Sequence, residues 1–307
     1  MTNSELNEAI ADGSIGELMR VAEARQCKVI SKVADDICLK SGIRLVLISG
    51  GSAAGKTTAA KRLCTQLRVN ERSALHISTD DYFVGDDRTP RDENGDLDYE
   101  HVRCVDIVRL VADVNALCAG EAIPVRRFDF VRHVPYTTAD LRVLPKGGII
   151  VLEGIHALNP LLTDGVPDEA KYQVFVSPKP SLSVDGVRPS PEEARFLRRM
   201  VRDNQFRKMS PKQTIHLWPN VLAGERKWID PYRAQADWTF DSYLVYELAV
   251  LKPYVGGLLE RARHDLGEMP IVMGMLRLLS AVDIAPTDLV PGDSILRETI
   301  GGSQLEY

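Results

Sequence analysis

Residues 50–58 read GGSAAGKTT, which fits G-x-x-x-x-G-K-T with Gly50, Gly55, Lys56 and Thr57 in the fixed places. The six residues before it, RLVLIS (44–49), form an apolar, β-branched run of the kind that makes a buried parallel strand. The ten residues from Thr58 to Leu67 have helical composition. The motif thus lies between a strand and a helix, where its chemistry requires it to be. Its loop (Gly50, Gly51, Ser52, Ala53, Ala54, Gly55) can curl backbone N–H groups around phosphate oxygens, and the helix N-terminus adds partial positive charge. Lys56 reaches the β- and γ-phosphates in this arrangement, the Thr57 hydroxyl binds Mg²⁺, and Thr58 is the last nucleotide-binding residue of the motif. A nucleoside triphosphate site is the expectation that organises everything else.

Working outward, strands alternate with helices. ALHIST (74–79) is a second strand candidate and ends in Asp80 and Asp81. Residues 84–99 form a long polar loop, and loops of that length are commonly functional. Residues 106–117 have helical spacing, 123–130 read as extended, and 147–153 and 172–177 are further core strands, the first ending in Glu153. Residues 192–206 form a helix with a dense basic face, residues 210–232 a further helical stretch, and 238–242 a last short strand. Residues 246–262 and 270–282 are helical, and 283–307 read as loop. This alternation predicts an α/β fold with a mostly parallel sheet and a ligand crevice at the carboxyl ends of its strands. Before the first strand, residues 1–40 read as a helical extension. Val29, Ile30, Val33 and Ile37 share one face there, and Ser14 to Glu17 has the spacing of a capping box. The expected division is an N-terminal helical extension (1–40), a nucleotide-binding domain (41–262) with a lid at about 188–212, and a C-terminal helical and loop extension (263–307).

Hydrophobic residues make up 44% and charged residues 26% of the 307, so the chain folds rather than staying disordered. The net charge of −5 argues against a nucleic-acid partner. No apolar run reaches the roughly 18 residues of a membrane span, and the N-terminus has no signal-peptide core. Five cysteines (Cys27, Cys38, Cys64, Cys104, Cys118) include no C-x-x-C pair, which fits reduced thiols in a cytoplasmic protein.

Three groups of residues carry further chemistry. A carboxylate after the second strand, Asp80 or Asp81, can take a proton from a substrate hydroxyl or hold Mg²⁺ through water, and spacing alone leaves both open. Glu153, after a hydrophobic strand, has the position of a Mg²⁺-organising acid. The basic run Arg195, Arg198, Arg199, Arg202, Arg207 is opposed only by Asp203. Such a run is a solvated face or a lid over phosphates, and the phosphate loop favours a mobile lid. Phe128, Phe130 and His133 are core residues or the walls of a slot for a flat base. The absence of N-K-x-D and H-R-D or D-F-G argues against a GTPase switch and a protein kinase.

Together these residues resemble the uridine kinase and phosphoribulokinase family, most of all uridine kinase-like nucleoside kinases. The resemblance rests on GGSAAGKTT, ISTDDYF (77–83), LDYEH (97–101), RFDFVRH (127–133), LEGI (152–155) and FLRRMVRD (196–203), in family order over residues 44 to about 245. It implies a P-loop NTPase three-layer sandwich that uses ATP and Mg²⁺ to phosphorylate the 5′-hydroxyl of a uridine- or cytidine-like nucleoside. It also implies roles. Asp80 is the catalytic base, with Lys56, Arg198 and Arg202 acting on the transferred phosphoryl group. Arg199 joins the loop in binding the nucleotide. Tyr82, Glu100, Phe128, Phe130, His133 and Arg195 line the acceptor site, Glu100 facing the ribose. Thr57 and Glu153 hold the metal. There are two departures: Phe128 stands where pyrimidine kinases commonly carry Tyr, and Arg207 is followed by Lys208 where the lid usually continues with Gly. The alternatives are a kinase of a sugar phosphate or pantothenate-like acceptor, and a nucleotide sensor that transfers nothing. A second copy of the chain is the candidate partner for the apolar helices of the terminal segments.

Overall fold

The LVLIS run forms β1 (Leu45–Ser49), fully buried, at the centre of a parallel sheet in a computed structural model that describes residues 1–93 and 95–306. Asn94, in the loop read as 84–99, and Tyr307, the end of the tail, lie outside the described residues. In chain order, helices α1 (Asn3–Ala11) and α2 (Ile15–Leu39) precede β1, and α3 (Lys56–Val69) and β2 (Ala74–Ser78) follow it. Then come α4 (Ile107–Ala119), β3 (Ile123–Asp129), β4 (Val134–Arg142), β5 (Ile149–Glu153) and β6 (Lys171–Ser177). The rest is α5 (Pro191–Phe206), α6 (Pro211–Trp228), α7 (Asp230–Arg233), β7 (Trp238–Asp241), α8 (Glu247–Leu266), α9 (Pro270–Ser280) and α10 (Arg297–Ile300). Among the described residues the main sheet has five strands in the order β2-β5-β1-β6-β7, every pairing parallel.

Parallel strands buried on both faces need helices on both sides. On one side α2 and α3 pack Ile30, Val33, Ile37, Ala60, Leu63 and Leu67 against Val46, Ile48, Val151 and Val174. On the other, Leu110, Val114 and Leu117 of α4 meet Leu45, Leu47, Ile150 and Leu152. Each fully buried aliphatic side chain here contributes roughly 1.5–3 kcal/mol. This is the α/β fold expected from the alternation, in the three-layer form that the resemblance implies. Because all strands run the same way, the phosphate loop after β1, Asp80 after β2 and Glu153 at the end of β5 come to one edge.

A third core joins the chain termini to the basic helix. Leu6, Ile15 and Met19 from α1 and α2 meet Phe196, Leu197, Met200 and Val201 of α5, with Leu248 and Leu251 of α8 and Val272 and Met275 of α9. Helix α5 starts at a capping box of Ser190 and Glu193 with Pro191 in its first turn. Its apolar face is therefore packed into this core.

Two local expectations differ from the structure. Ser14 makes no side-chain cap; the chain breaks between α1 and α2 at Gly13, with φ of +84°, and the Ser14 N–H donates to Asp12. Strand β4, which had no apolar alternation to reveal it, pairs with β3 in a separate antiparallel hairpin and is mostly exposed. Among the described residues no helix is long and apolar enough to cross a membrane.

Candidate active site

The phosphate loop is shaped by backbone geometry. Gly55, with φ of +89°, is the residue before α3, and Ala53 also adopts a left-handed φ of +58°. The latter is a conformation that costs an L-residue roughly 1–3 kcal/mol and is characteristic of ligand-holding turns. Lys56 is buried and donates to the Gly51 carbonyl at 3.0 Å, curling back over the loop. The Thr57 hydroxyl donates to Glu153 Oε1 at 3.2 Å.

Acidic groups face this lysine from neighbouring strand ends. Asp80 is pushed up to about 6 by burial and by the Glu153 charge, while Lys56, Arg207 and Arg202 pull it back. Burial also opposes the charge on Glu153, but His76, Lys56 and Ser78 outweigh it and hold that carboxyl below its ordinary value. Asp81, the alternative that spacing left open, turns aside to Arg127 Nη1 at 3.0 Å. Among the described residues no group of three His, Cys, Asp or Glu could hold a metal by itself. Mg²⁺ bound with a nucleotide takes one or two protein ligands and completes its shell with phosphate and water, so Thr57 and Glu153 fit the ion as a donor set.

The basic helix contributes through one stripe. At 100° per residue, Arg195, Arg199 and Arg202 lie within about 60° of one another around α5, and Arg198 lies only about 40° from Arg202, so its contacts rather than its spacing set it apart. Arg199 Nη1 donates to Ser52 Oγ at 2.8 Å. Arg202 lies beside Asp203, and Asp80 and Glu298 also act on its charge. Arg198 belongs elsewhere. Only 1% exposed, it pairs with the fully buried Glu247 at 2.5 Å and donates to the Ser242 carbonyl at 2.8 Å. It pins α5 to α8 and does not reach the phosphate loop, which corrects its expected catalytic place. Arg195 likewise leaves the acceptor side. It pairs with Glu225 of α6 and lies against Gly51, where a Cβ would collide with its guanidinium.

The structure gives partners to residues the basic run had shown and adds one the sequence did not single out, His156. Asp203 is completely buried and gathers Arg199, Arg202 and Arg207 at 3.1, 2.8 and 3.9 Å. Arg207, just past α5, lies 4.4 Å over the Phe130 ring, and burial and Arg202 lower it to about 10. It joins the aromatic wall to Asp80. Lys208 then takes φ of +55°, the conformation Gly would adopt without strain at this departure from the family pattern. His156, three residues past Glu153, is 1% exposed and neither ring nitrogen has a partner. Burial drives it down to about 4, so it is neutral. Only its place after the strand could have signalled it.

On the acceptor side, Phe83, Phe128 and Phe130 pack edge to face, with centroids 5.2–6.3 Å apart. His133 Nδ1 lies 2.9 Å from the Tyr99 hydroxyl and 3.1 Å from Asp86. Glu100 sits 3.9 Å from Arg199 with Oε2 buried and unpartnered, and burial raises it to about 7. Tyr82 is not in the crevice: its hydroxyl donates to buried Asp113 at 3.1 Å, beneath the β3–β4 hairpin. That corrects its expected acceptor contact.

The model of the Phosphoribulokinase / Uridine kinase family matches residues 45–248, about two thirds of the chain. The protein belongs to that family. Within it, the chain is 28% identical over 191 residues to a uridine kinase of Deinococcus deserti, covering 62% of this chain and 83% of that one. It is 31% identical over 192 residues to a uridine kinase of Halobacterium salinarum, covering 62% and 76%. Among solved structures it is similar to a protein described as a fructose transport system kinase from Silicibacter sp. TM1040, with TM-score 0.49, 17% identity, and coverage of 68% of this chain and 98% of that one. The family match ends at residue 248, so α9, the tail after it and nearly all of α8 lie beyond the shared domain.

Proposed function

We propose that this P-loop kinase transfers the γ-phosphate of ATP to the 5′-hydroxyl of a nucleoside of the uridine or cytidine type. The observation that carries the reading is a phosphate loop followed, at the next strand end, by Asp80, a carboxylate on which Lys56 and the Phe130-stacked Arg207 both act. In this reading Asp80 orients the acceptor hydroxyl and takes its proton as the bond to phosphorus forms. Lys56 and the loop amides hold the β- and γ-phosphates, while Arg202 and Arg207 face the charge that spreads over the transferred group. Thr57 and Glu153 would hold Mg²⁺, which supplies charge neutralisation across the phosphates.

For the acceptor, Phe83, Phe128 and Phe130 give an apolar face for a flat base. The polar contact missing at Phe128 is supplied by His133. With Nδ1–H directed at Asp86, its Nε2 is left to accept from a base N–H. Glu100 and His156 are buried polar groups short of partners, which ribose hydroxyls would satisfy. Cytoplasmic location accords with the reading. The test is transfer from Mg·ATP across ribo- and deoxynucleosides, with ribulose 5-phosphate and pantothenate included, and products identified by mass. A nucleoside 5′-monophosphate supports the reading. Product only from another acceptor moves the substrate and keeps the site; no product from any acceptor leaves a nucleotide sensor.

A further inference from the structure

The chain beyond the family domain returns to the phosphate loop. After α9, residues 281–306 run back across α8 and α5 and bury Val282, Ala285, Val290, Ile295, Leu296, Thr299 and Ile300. Arg297 fixes the shape of this strap by donating to the carbonyls of Thr287, Val290 and Gly301. The strap meets the phosphate loop and its helix at three points. Ile295 lies so close to Gly55 that a Cβ there would be 2.8 Å from its Cγ2. The Thr58 hydroxyl, in the first turn of α3, donates to Glu298 Oε2 at 3.0 Å. One turn on, Arg62 pairs with Asp293 at 3.3 Å. On its other side the strap packs on α5, where Glu298 attracts Arg202 and Gly301 lies against Phe206.

Packing alone does not account for Glu298. Ile295 and Leu296 already seal the contact with apolar surface. A carboxylate placed where α3 presents its positive end to an anion opposes phosphate binding unless its charge has a partner. Its hydrogen-bond partner is Thr58, and its charge also acts on Arg202. A guanidinium is a rigid planar fork, so an acid on one edge sets where the remaining N–H groups point. Asp203 holds the Nε–Nη2 edge of Arg202, and the charges of Glu298 and Asp80 act on the same guanidinium.

We propose that residues 294–302 form the donor-side wall of the nucleotide site, with Glu298 as a positioning residue that orients Arg202 and the first turn of α3. The proposal rests on the kinase reading above and adds to it an element from outside the family domain. It makes three demands on experiment. Glu298→Gln, which keeps an acceptor for Thr58 and loses the charge beside Arg202, should lower kcat about tenfold with donor KM little changed. Glu298→Ala, which loses both, should also raise donor KM about tenfold. Acceptor KM should stay within about twofold of wild type in both. In the unmodified protein, hydrogen exchange in 294–302 should slow on adding Mg²⁺ with a non-hydrolysable ATP analogue, and not with nucleoside alone. Unchanged kcat and donor KM in both variants, or no donor-dependent protection of the strap, overturns the inference and leaves the kinase reading standing. A wild-type protein that neither binds the analogue nor transfers phosphate overturns both. Should the alanine variant fail to fold, the near-isosteric glutamine variant and the wild-type exchange pattern still decide.

Discussion

Replacing Arg198 with Met separates two roles for neighbouring arginines. Among the described residues Arg198 is the one cation paired with Glu247, and both are essentially inaccessible to water. Met fills much of the volume of the arginine stem but leaves a carboxylate stranded in the core of α5 and α8. The least costly response is for Glu247 to take up a proton. From an ordinary pKa of 4.5, that costs about 3.4 kcal/mol at pH 7 and about 1.4 kcal/mol at pH 5.5. The loss of hydrogen bonds to the Ser242 carbonyl brings the total at pH 7 to about 3–5 kcal/mol, the usual range for breaking a buried pair. A chain of this size should then melt roughly 6–10 °C lower. The sign with pH follows: the penalty grows as pH rises above 4.5 and shrinks toward it. Adding Glu247→Leu should recover most of the loss, since no buried charge remains. Turnover per folded molecule should stay within about threefold of wild type, because Arg198 does not face the phosphate loop. Thermal melts at several pH values, with turnover corrected for folded fraction, would measure all of this. An Arg198→Met variant that melts like wild type but loses a hundredfold in turnover refutes the placement.

Further outcomes follow from the same geometry. Asp80→Asn should lower kcat by about 10² or more while leaving ATP affinity nearly unchanged, read by steady-state kinetics and calorimetry. Because Asp80 acts ionised and is pushed up to about 6, kcat/KM should fall about tenfold per pH unit below that value, a limb absent from the Asn variant. Glu153→Gln should raise the Mg²⁺ concentration needed for half-maximal rate, and a variant with an unchanged Mg²⁺ requirement would remove it from the metal site. Asp203→Asn leaves three arginines without their shared carboxylate and should cost about 3–5 kcal/mol in a denaturant melt. The arginines hold Asp203 below its ordinary value, so its stabilisation is present above pH 3.8 and is lost as pH falls further.

The sheet and the crevice were legible because their signals are local. A run such as LVLIS, a glycine turn and a helix-forming stretch each state their own structure, and parallel topology then carries the strand ends to one edge. The basic helix was legible only in part. Five arginines in thirteen positions announce a function, but which of them face the phosphates depends on α8 and α6, which arrive later in the chain. Counting 100° per residue leaves Arg198 only about 40° from Arg202, and it is the buried Glu247 that sets it apart. Tyr82 was misread for a similar cause: its partner Asp113 is thirty residues away on α4, and nothing nearby in sequence hints at it. Glu298 was invisible as a site residue because it returns from a tail that reads as loop. His156 needed burial without partners to be noticed at all.

The central claim is that the crevice passes the γ-phosphate to a primary hydroxyl oriented by Asp80. It is met most directly by comparing a nucleoside the enzyme accepts with its 5′-deoxy analogue, following ADP and the phosphorylated product together. The account predicts one 5′-monophosphate per ADP from the nucleoside and neither product above background from the analogue. Equal ADP formation with both, or phosphate found on a ribose 2′- or 3′-oxygen, would contradict it.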